Sequence, residues 1–302
     1  YLMICGPTAA GKSGLALALA KAWGGTVINA DSMQIYRDLR VVTARPDAED
    51  EARAPHRLYG VVDGGERASV AAWLDLLAAE VQAARLAGRL PIVVGGTGMY
   101  LQAARHGIAP IPEVPPDIHQ ACLDELAADG GAAFRTTLAR LDPQTAERLF
   151  DGDSQRLVRA MGVVRATGRP ISAWQADPHE GAIAGEAVRL AVMPPRADIY
   201  DRIDRRFAMM METGAPEEVA ALAGRGLDPS LPVMKALGVR EIMAMQHGQI
   251  TRSRAIELAC RDSRHYAKRQ MTWIRNNYHA QMTIESKFSK RIMEGIFSIL
   301  SK

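Results

Sequence analysis

The chain has 302 residues, 48% of them hydrophobic and 24% charged, with a formal net charge of +3 at pH 7. That composition excludes a disordered, fibrous or bilayer-spanning chain, and the length allows one large domain or two ordinary ones with a core that needs no disulfide or structural metal. Three cysteines, Cys5, Cys122 and Cys260, are odd in number and far apart, which argues for reduced, buried side chains in a cytosolic protein rather than a disulfide framework or a zinc site.

The chain opens inside an apolar run, Tyr1–Cys5, so a short N-terminal segment is expected to precede it. A glycine-rich turn, Gly6–Ser13, follows, and Gly14–Trp23 reads as a helix stopped by Gly24 and Gly25. Thr26–Ala30 is the next strand, Ala71–Leu86 a second helix and Leu90–Val94 another short buried strand. Such alternation predicts a parallel sheet covered by helices on both faces. Pro110, Pro112, Pro115 and Pro116 then mark a loop, beyond which 117–128, 132–141, 143–149 and 154–166 all carry helical patterns. The expected architecture is α/β: a P-loop NTPase-like parallel-sheet core (1–106 plus 185–302), a helical insertion (107–184) and additional C-terminal helices. Residues 185–193 return as a strand, and 196–211, 216–223, 237–246 and 251–276 are predicted helices.

Gly6-Pro7-Thr8-Ala9-Ala10-Gly11-Lys12-Ser13 matches G-x-x-x-x-G-K-[ST] between a predicted strand and a predicted helix, the context that motif requires. Its backbone N–H groups and helix N-terminus favour phosphate oxygens, Lys12 adds a point charge, and the Ser13 hydroxyl is a candidate ligand for Mg²⁺. The motif implies binding of a di- or triphosphate without implying phosphoryl transfer.

Asp31 lies just past the second strand, at the carboxyl edge where open α/β sheets bind ligands. A metal ligand, a general base and a helix N-cap are equally compatible with its local pattern. After the strand at 90–94, Gly95-Gly96-Thr97-Gly98 stands where many P-loop nucleotidases carry an acidic metal residue, which weakens a reading as an ATP hydrolase. Those glycines suit either a close substrate approach or a plain tight turn, the turn being the commoner case. Residues 196–302 carry 18 basic and 12 acidic side chains, a surplus of 6. Within them Arg261, Arg264, Lys268 and Arg275 recur at helical spacing near Trp273. A solvated helix face is the commoner explanation of such a stripe, and a face that tracks a phosphate backbone the alternative.

Taken together these segments resemble the tRNA dimethylallyltransferases, also called tRNA isopentenyltransferases, from Tyr1 to about Arg275. The resemblance rests on G-P-T-A-A-G-K-S at 6–13, D-S-M-Q-I-Y at 31–36, T-A-R-P at 43–46, P-H-R-L at 55–58 and V-G-G-T-G-M-Y at 94–100. It continues through Q-R-L-V-R-A at 155–160, T-G-R-P at 167–170, R-I-D-R-R-F at 202–207, K-A-L-G-V-R at 235–240 and A-K-R-Q-M-T-W-I-R at 267–275. It implies that the P-loop holds the diphosphate of dimethylallyl diphosphate, although such chains are often described as ATP-binding. It also implies Mg²⁺ as cofactor and, as acceptor, the exocyclic amine of the adenosine just 3′ of the anticodon.

Carried residue by residue, the resemblance makes Asp31 the general base, Ser13 a ligand of Mg²⁺ and diphosphate, and Arg206, with Lys12, the cationic clamp on the diphosphate. It places tRNA contacts at Asp31, Ser32, Met33 and Gln34, at Thr97 and His119, and at Gln155, Arg156, Leu157, Val158 and Arg159. Further contacts are implied at Lys235, Ala236, Leu237, Gly238, Val239 and Arg240; apart from the resemblance, the basic stretch that includes Arg269 adds Lys268 and Arg275 as expected RNA contacts. A soluble cytoplasmic monomer is expected. Met161-Gly162 and Val239 depart from the usual pattern, in segments assigned to RNA contact rather than chemistry, and 278–302 carries no family signature. A P-loop kinase of small metabolites and a non-catalytic RNA binder are the competing readings.

Overall fold

The computed structural model describes residues 1–285 and 290–300, the side chains of 290, 291 and 300 excepted. In chain order the elements are β1 (Leu2–Cys5), α1 (Lys12–Trp23), β2 (Gly25–Asn29), α2 (Ala48–Arg53), β3 (His56–Arg57), α3 (Val70–Leu86), β4 (Leu90–Gly95) and α4 (Gly98–His106). Then come α5 (Pro116–Leu141), α6 (Pro143–Arg148), α7 (Ser154–Thr167), α8 (Ile171–Gln175) and β5 (Val188–Val192). The chain continues through α9 (Arg196–Glu212), α10 (Ala215–Gly224), a 3₁₀ turn (Val233–Lys235), α11 (Val239–Gln246), α12 (Arg252–Asn277), β6 (Met282–Ile284) and α13 (Lys290–Leu300). Two compact units result: residues 1–105 with 183–302, and residues 106–182.

The first unit is built on one parallel sheet in the order β3-β2-β4-β1-β5-β6. The strands are short, and the apolar β1 is buried along its whole length, as a central parallel strand covered on both faces must be. Register decides where chemistry can sit. Cys5 lies beside both Gly95 and Ala191, and Asn29 beside Val94, so β1, β2, β4 and β5 end level with one another. The P-loop, the segment from Ala30 and the turn after β4 therefore leave the sheet along one carboxyl edge. Leu2, Ile4, Val27, Ile92, Val94 and Leu190 meet Leu15 and Leu19 of α1 in the core. On α3, buried Trp73 stacks on Tyr100 with ring centroids 4.1 Å apart and donates its indole N–H to the Asn29 carbonyl at 3.0 Å.

The second unit has its own core of Phe134, Leu138, Leu157, Val158 and Met161. Helix α5 joins the two helical segments expected from sequence across a kink at Gly130 (φ 77°). The buried Asp142 carboxylate caps α6 through Thr145 N–H at 3.0 Å and accepts the Ser172 hydroxyl at 2.7 Å.

Five elements carry too little local signal to be read from sequence, α2, β3, α4, α8 and β6, and α13 goes unread in the signature-free tail although its apolar residues recur at helical spacing. Two or three residues, as in β3 and β6, show no periodicity, and α4 begins on a glycine. Part of the signature-free tail thus joins the sheet, with buried Tyr278 donating its hydroxyl to the Met3 carbonyl at 2.9 Å. Residues 286–289 and 301–302 of that tail lie outside the described residues. Cys5, Cys122 and Cys260 are free and buried, and no helix among the described residues is long and apolar enough to cross a membrane.

Candidate active site

The P-loop has the bent backbone its sequence demands. Ala9 sits at φ 62° and Gly11 at φ 99°, a left-handed excursion that turns successive amides toward one concavity. Helix α1 starts at Lys12, so its first-turn N–H groups have no intrahelical acceptor and face that mouth. Ser13 is exposed there. Lys12 as a whole is half-buried, but its ammonium lies within the loop and donates to the Pro7 carbonyl at 2.8 Å. Burial of the ammonium lowers its pKa to about 8, against the opposing pull of Asp31 and Cys5.

Two members of the motif differ from the expected role. Pro7 has no N–H, and its carbonyl is the acceptor for Lys12. The Thr8 N–H is held by Gln270 Oε1 at 2.9 Å. Neither residue offers an amide to a ligand, and the Ala10 N–H donates to the Pro7 carbonyl at 3.3 Å, which leaves the cradle to Ala9 and the residues from Gly11 onward.

Asp31 is neither an N-cap nor part of a helix. Its Oδ1 accepts the Met33 N–H at 2.9 Å, and its own N–H is fixed by Asn29 Oδ1 at 2.8 Å. The carboxylate lines a cavity of about 300 Å³ together with Thr8 and Arg206. Arg206 reaches it from α9 and donates to the Thr8 hydroxyl at 2.6 Å. Burial lowers the Arg206 pKa and the charge of Asp31 opposes that. Val42, Ile203, Phe207 and Met210 form an apolar wall, while Ser263, Tyr266 and Arg269 enter from α12. One cavity thus holds a guanidinium, a carboxylate and an apolar lining.

Thr97 stands in the turn after β4, beside Ser32. Its Oγ1 accepts the Ser32 N–H at 3.0 Å and bonds the Tyr266 hydroxyl, whose pKa burial pushes up. The glycines around Thr97 have a structural cause: a Cβ on Gly96 would collide with Gln270 Nε2, and one on Gly98 with the Trp273 ring. They let α12 lie close against this turn. Gln34, placed among the RNA contacts, has its amide occupied by the Thr43 and Ala44 carbonyls at 2.8 and 3.0 Å.

The other expected RNA contacts separate by burial. Leu157 and Val158 are core residues of the second unit, so their side chains are unavailable, whereas Gln155, Arg156, Arg159 and His119 are exposed. Ala236, Gly238 and Val239 are buried, and a Cβ added at Gly238 would collide with the Phe207 ring; Lys235 and Arg240 are exposed. On α12 the basic stripe divides. Arg264 binds Asp204 at 2.6 Å and Arg261 binds Asp262 at 2.8 Å, while Lys268 and Arg275 are exposed. Sequence reading assigned no role to Gln270 or Tyr266, and took Arg269 only as one more cation of the basic stretch rather than as a lining residue of the cavity. All three lie in or beside A-K-R-Q-M-T-W-I-R, so the motif marks the helix without saying which faces matter.

The sequence model of the IPP transferase family matches residues 34–277. The chain belongs to the IPP transferase family. A tRNA dimethylallyltransferase of Rhodospirillum rubrum is 48% identical over 97% of this chain and 90% of its own length. The crystal structure of the full-length tRNA isopentenylpyrophosphate transferase from Bacillus halodurans superposes with a TM-score of 0.71 at 32% identity, covering 99% of this chain and 95% of that one. A eukaryotic dimethylallyltransferase acting on tRNA shares the fold, with a TM-score of 0.83 at 24% identity over 99% of this chain and 78% of that one. The P-loop α/β architecture expected from sequence is thus the architecture of IPP transferase family structures. The described residues contain no group of three or more His, Cys, Asp or Glu side chains able to hold a metal. An exposed Ser13 hydroxyl at a phosphate cradle still suits Mg²⁺, which typically takes one or two protein oxygens and completes its shell with phosphate and water.

Proposed function

We propose that this chain transfers the dimethylallyl group of dimethylallyl diphosphate to the N6 amine of the adenosine immediately 3′ of the anticodon in tRNA, releasing diphosphate. The observation that carries this reading is that Asp31, Thr8 and Arg206 line one cavity with an apolar wall. The allylic C–O bond breaks and its electron pair leaves on the diphosphate oxygen. The adenine N6 forms the new C–N bond, and its proton passes to the Asp31 carboxylate. Lys12, Arg206 and the P-loop amides stand where negative charge develops, the arrangement by which fixed donors lower such barriers most. Mg²⁺, when bound, neutralises diphosphate charge, with Ser13 as its protein ligand. Val42, Ile203, Phe207 and Met210 keep water from the allylic carbon, which it would otherwise quench.

A base inside a stacked loop cannot reach such a cavity, so the adenine must be extruded, at a cost of a few kcal/mol. Exposed Lys235, Arg240, Lys268 and Arg275, with His119, Gln155, Arg156 and Arg159 on the helical unit, supply the phosphate-facing charge and polar groups for the anticodon stem-loop. The test is mass spectrometry of tRNA nucleosides after incubation with labelled dimethylallyl diphosphate and Mg²⁺ but no ATP. Labelled N6-prenyladenosine is expected. Unmodified RNA together with ATP-dependent phosphorylation of small hydroxyl compounds would overturn the proposal in favour of a kinase.

A further inference from the structure

Gln270 is a buried polar side chain, 5% exposed, in the middle of α12. Its Oε1 accepts the Thr8 N–H at 2.9 Å and its Nε2 donates to the Gly96 carbonyl at 2.9 Å. The orientation of the amide is dictated by its partners, since Thr8 N can only donate and Gly96 O can only accept. One side chain therefore links two loops that leave the carboxyl edge of the sheet. On one side, Thr8 presents its hydroxyl to Arg206. On the other, Gly96 precedes Thr97, whose hydroxyl holds the Ser32 N–H next to Asp31. The missing side chain at Gly96 is what gives the amide room.

We propose that Gln270 is a positioning residue, a strut that fixes the diphosphate cradle and the base-bearing turn at one mutual spacing. It touches neither reactant and acts through Thr8 and Gly96. The inference rests on the transfer reaction proposed above. Removing the amide leaves a half-buried N–H at Thr8 and a buried carbonyl at Gly96 unpaired, so both loops relax toward other partners. The separation between anion clamp and base is then lost while the exposed face of α12, with Lys268 and Arg269, is untouched.

The experiment compares Gln270→Met, which keeps the volume and removes both bonds, with Gly96→Ala, which crowds the amide from the opposite side, and with the double variant. Steady-state prenylation, pyrophosphate–Mg²⁺ binding by calorimetry and tRNA affinity are measured on folded protein. Gln270→Met is expected to raise KM for dimethylallyl diphosphate and weaken pyrophosphate binding about tenfold or more. Its tRNA affinity should stay within about twofold of the parent, the exposed charges being unchanged. Because both substitutions disturb the same pair of bonds, the double variant should lose less than the two single losses combined. Parental KM and pyrophosphate affinity in folded Gln270→Met, with only a lowered Tm, would make Gln270 a packing residue and overturn the proposal. If that variant does not fold, Gly96→Ala with parental KM and parental pyrophosphate affinity overturns it. A parent that yields no prenylated tRNA sinks the transfer reading instead, and the pyrophosphate arm then still reports on the strut.

Discussion

The P-loop and helix α12 meet at Thr8, yet they reach the site by opposite routes. The P-loop is local: eight consecutive residues, a strand before and a helix after, and a backbone bend set by Ala9 and Gly11. Helix α12 is remote, and its Gln270, Tyr266 and Arg269 acquire a role only because Gly96 and Gly98 let it lie against the turn after β4. The local device has the shape of a phosphate cradle. The remote helix adds walls to the cavity that Thr8, Asp31 and Arg206 line.

The sharpest way to break this contrast is Asp31→Ala. A positioned base typically contributes about a hundred- to ten-thousandfold, so turnover should fall by that order while tRNA is still bound; unchanged turnover would remove Asp31 from the chemistry. Next in size, Arg206→Ala removes the donor that α9 adds to the local cradle and should lower kcat about a hundred- to a thousandfold. A purely local P-loop site would lose little from it.

The third prediction concerns pH. Burial lowers the Lys12 pKa to about 8, so the ammonium is charged below that value and neutral above it. KM for dimethylallyl diphosphate should therefore be flat from pH 6 to about 7.5 and rise above about 8, approaching tenfold per unit, while Lys12→Arg, charged throughout, should lose that limb. A pH-independent KM in the parent would show that the ammonium is not what holds the diphosphate. For stability the sign is the reverse. The folded protein releases the proton at a lower pH than the unfolded chain does, so stability rises with pH between about 8 and the usual lysine value.

The smallest effect is expected on α12's outer face. Lys268→Glu or Arg275→Glu should weaken tRNA binding severalfold and lower the slope of affinity against salt by about 1 to 2 charges. Arg264→Glu should instead lower Tm, because Arg264 is paired with Asp204. An unchanged salt slope for both exposed positions would mean that the face meets only solvent.

Much of the fold was legible in the sequence because parallel strands and amphipathic helices write their periodicity locally. Tyr1–Trp23 and Leu90–Val94 needed no tertiary information. The elements that escaped, such as β3, β6 and α4, are too short or begin on residues with no helical preference, and pairing to a neighbour is what makes them regular. At the site, Asp31, Lys12 and Arg206 were visible through their motifs. Leu157, Val158 and Val239 also stood in motifs, but their side chains belong to cores, because a motif records that a position is constrained and not the reason.

By itself, then, the sequence determined a phosphate cradle, a parallel sheet to mount it on and a carboxylate along the same edge, all consequences of neighbouring residues and strand register. Only the tertiary structure decided what faces what. The bonds from Gln270 cross 262 residues to Thr8 and 174 to Gly96, and the bond from Arg206 crosses 198 to Thr8. Hydrogen bonds over such separations leave no periodic trace in the chain, since they exist only once the sheet has brought its loops together.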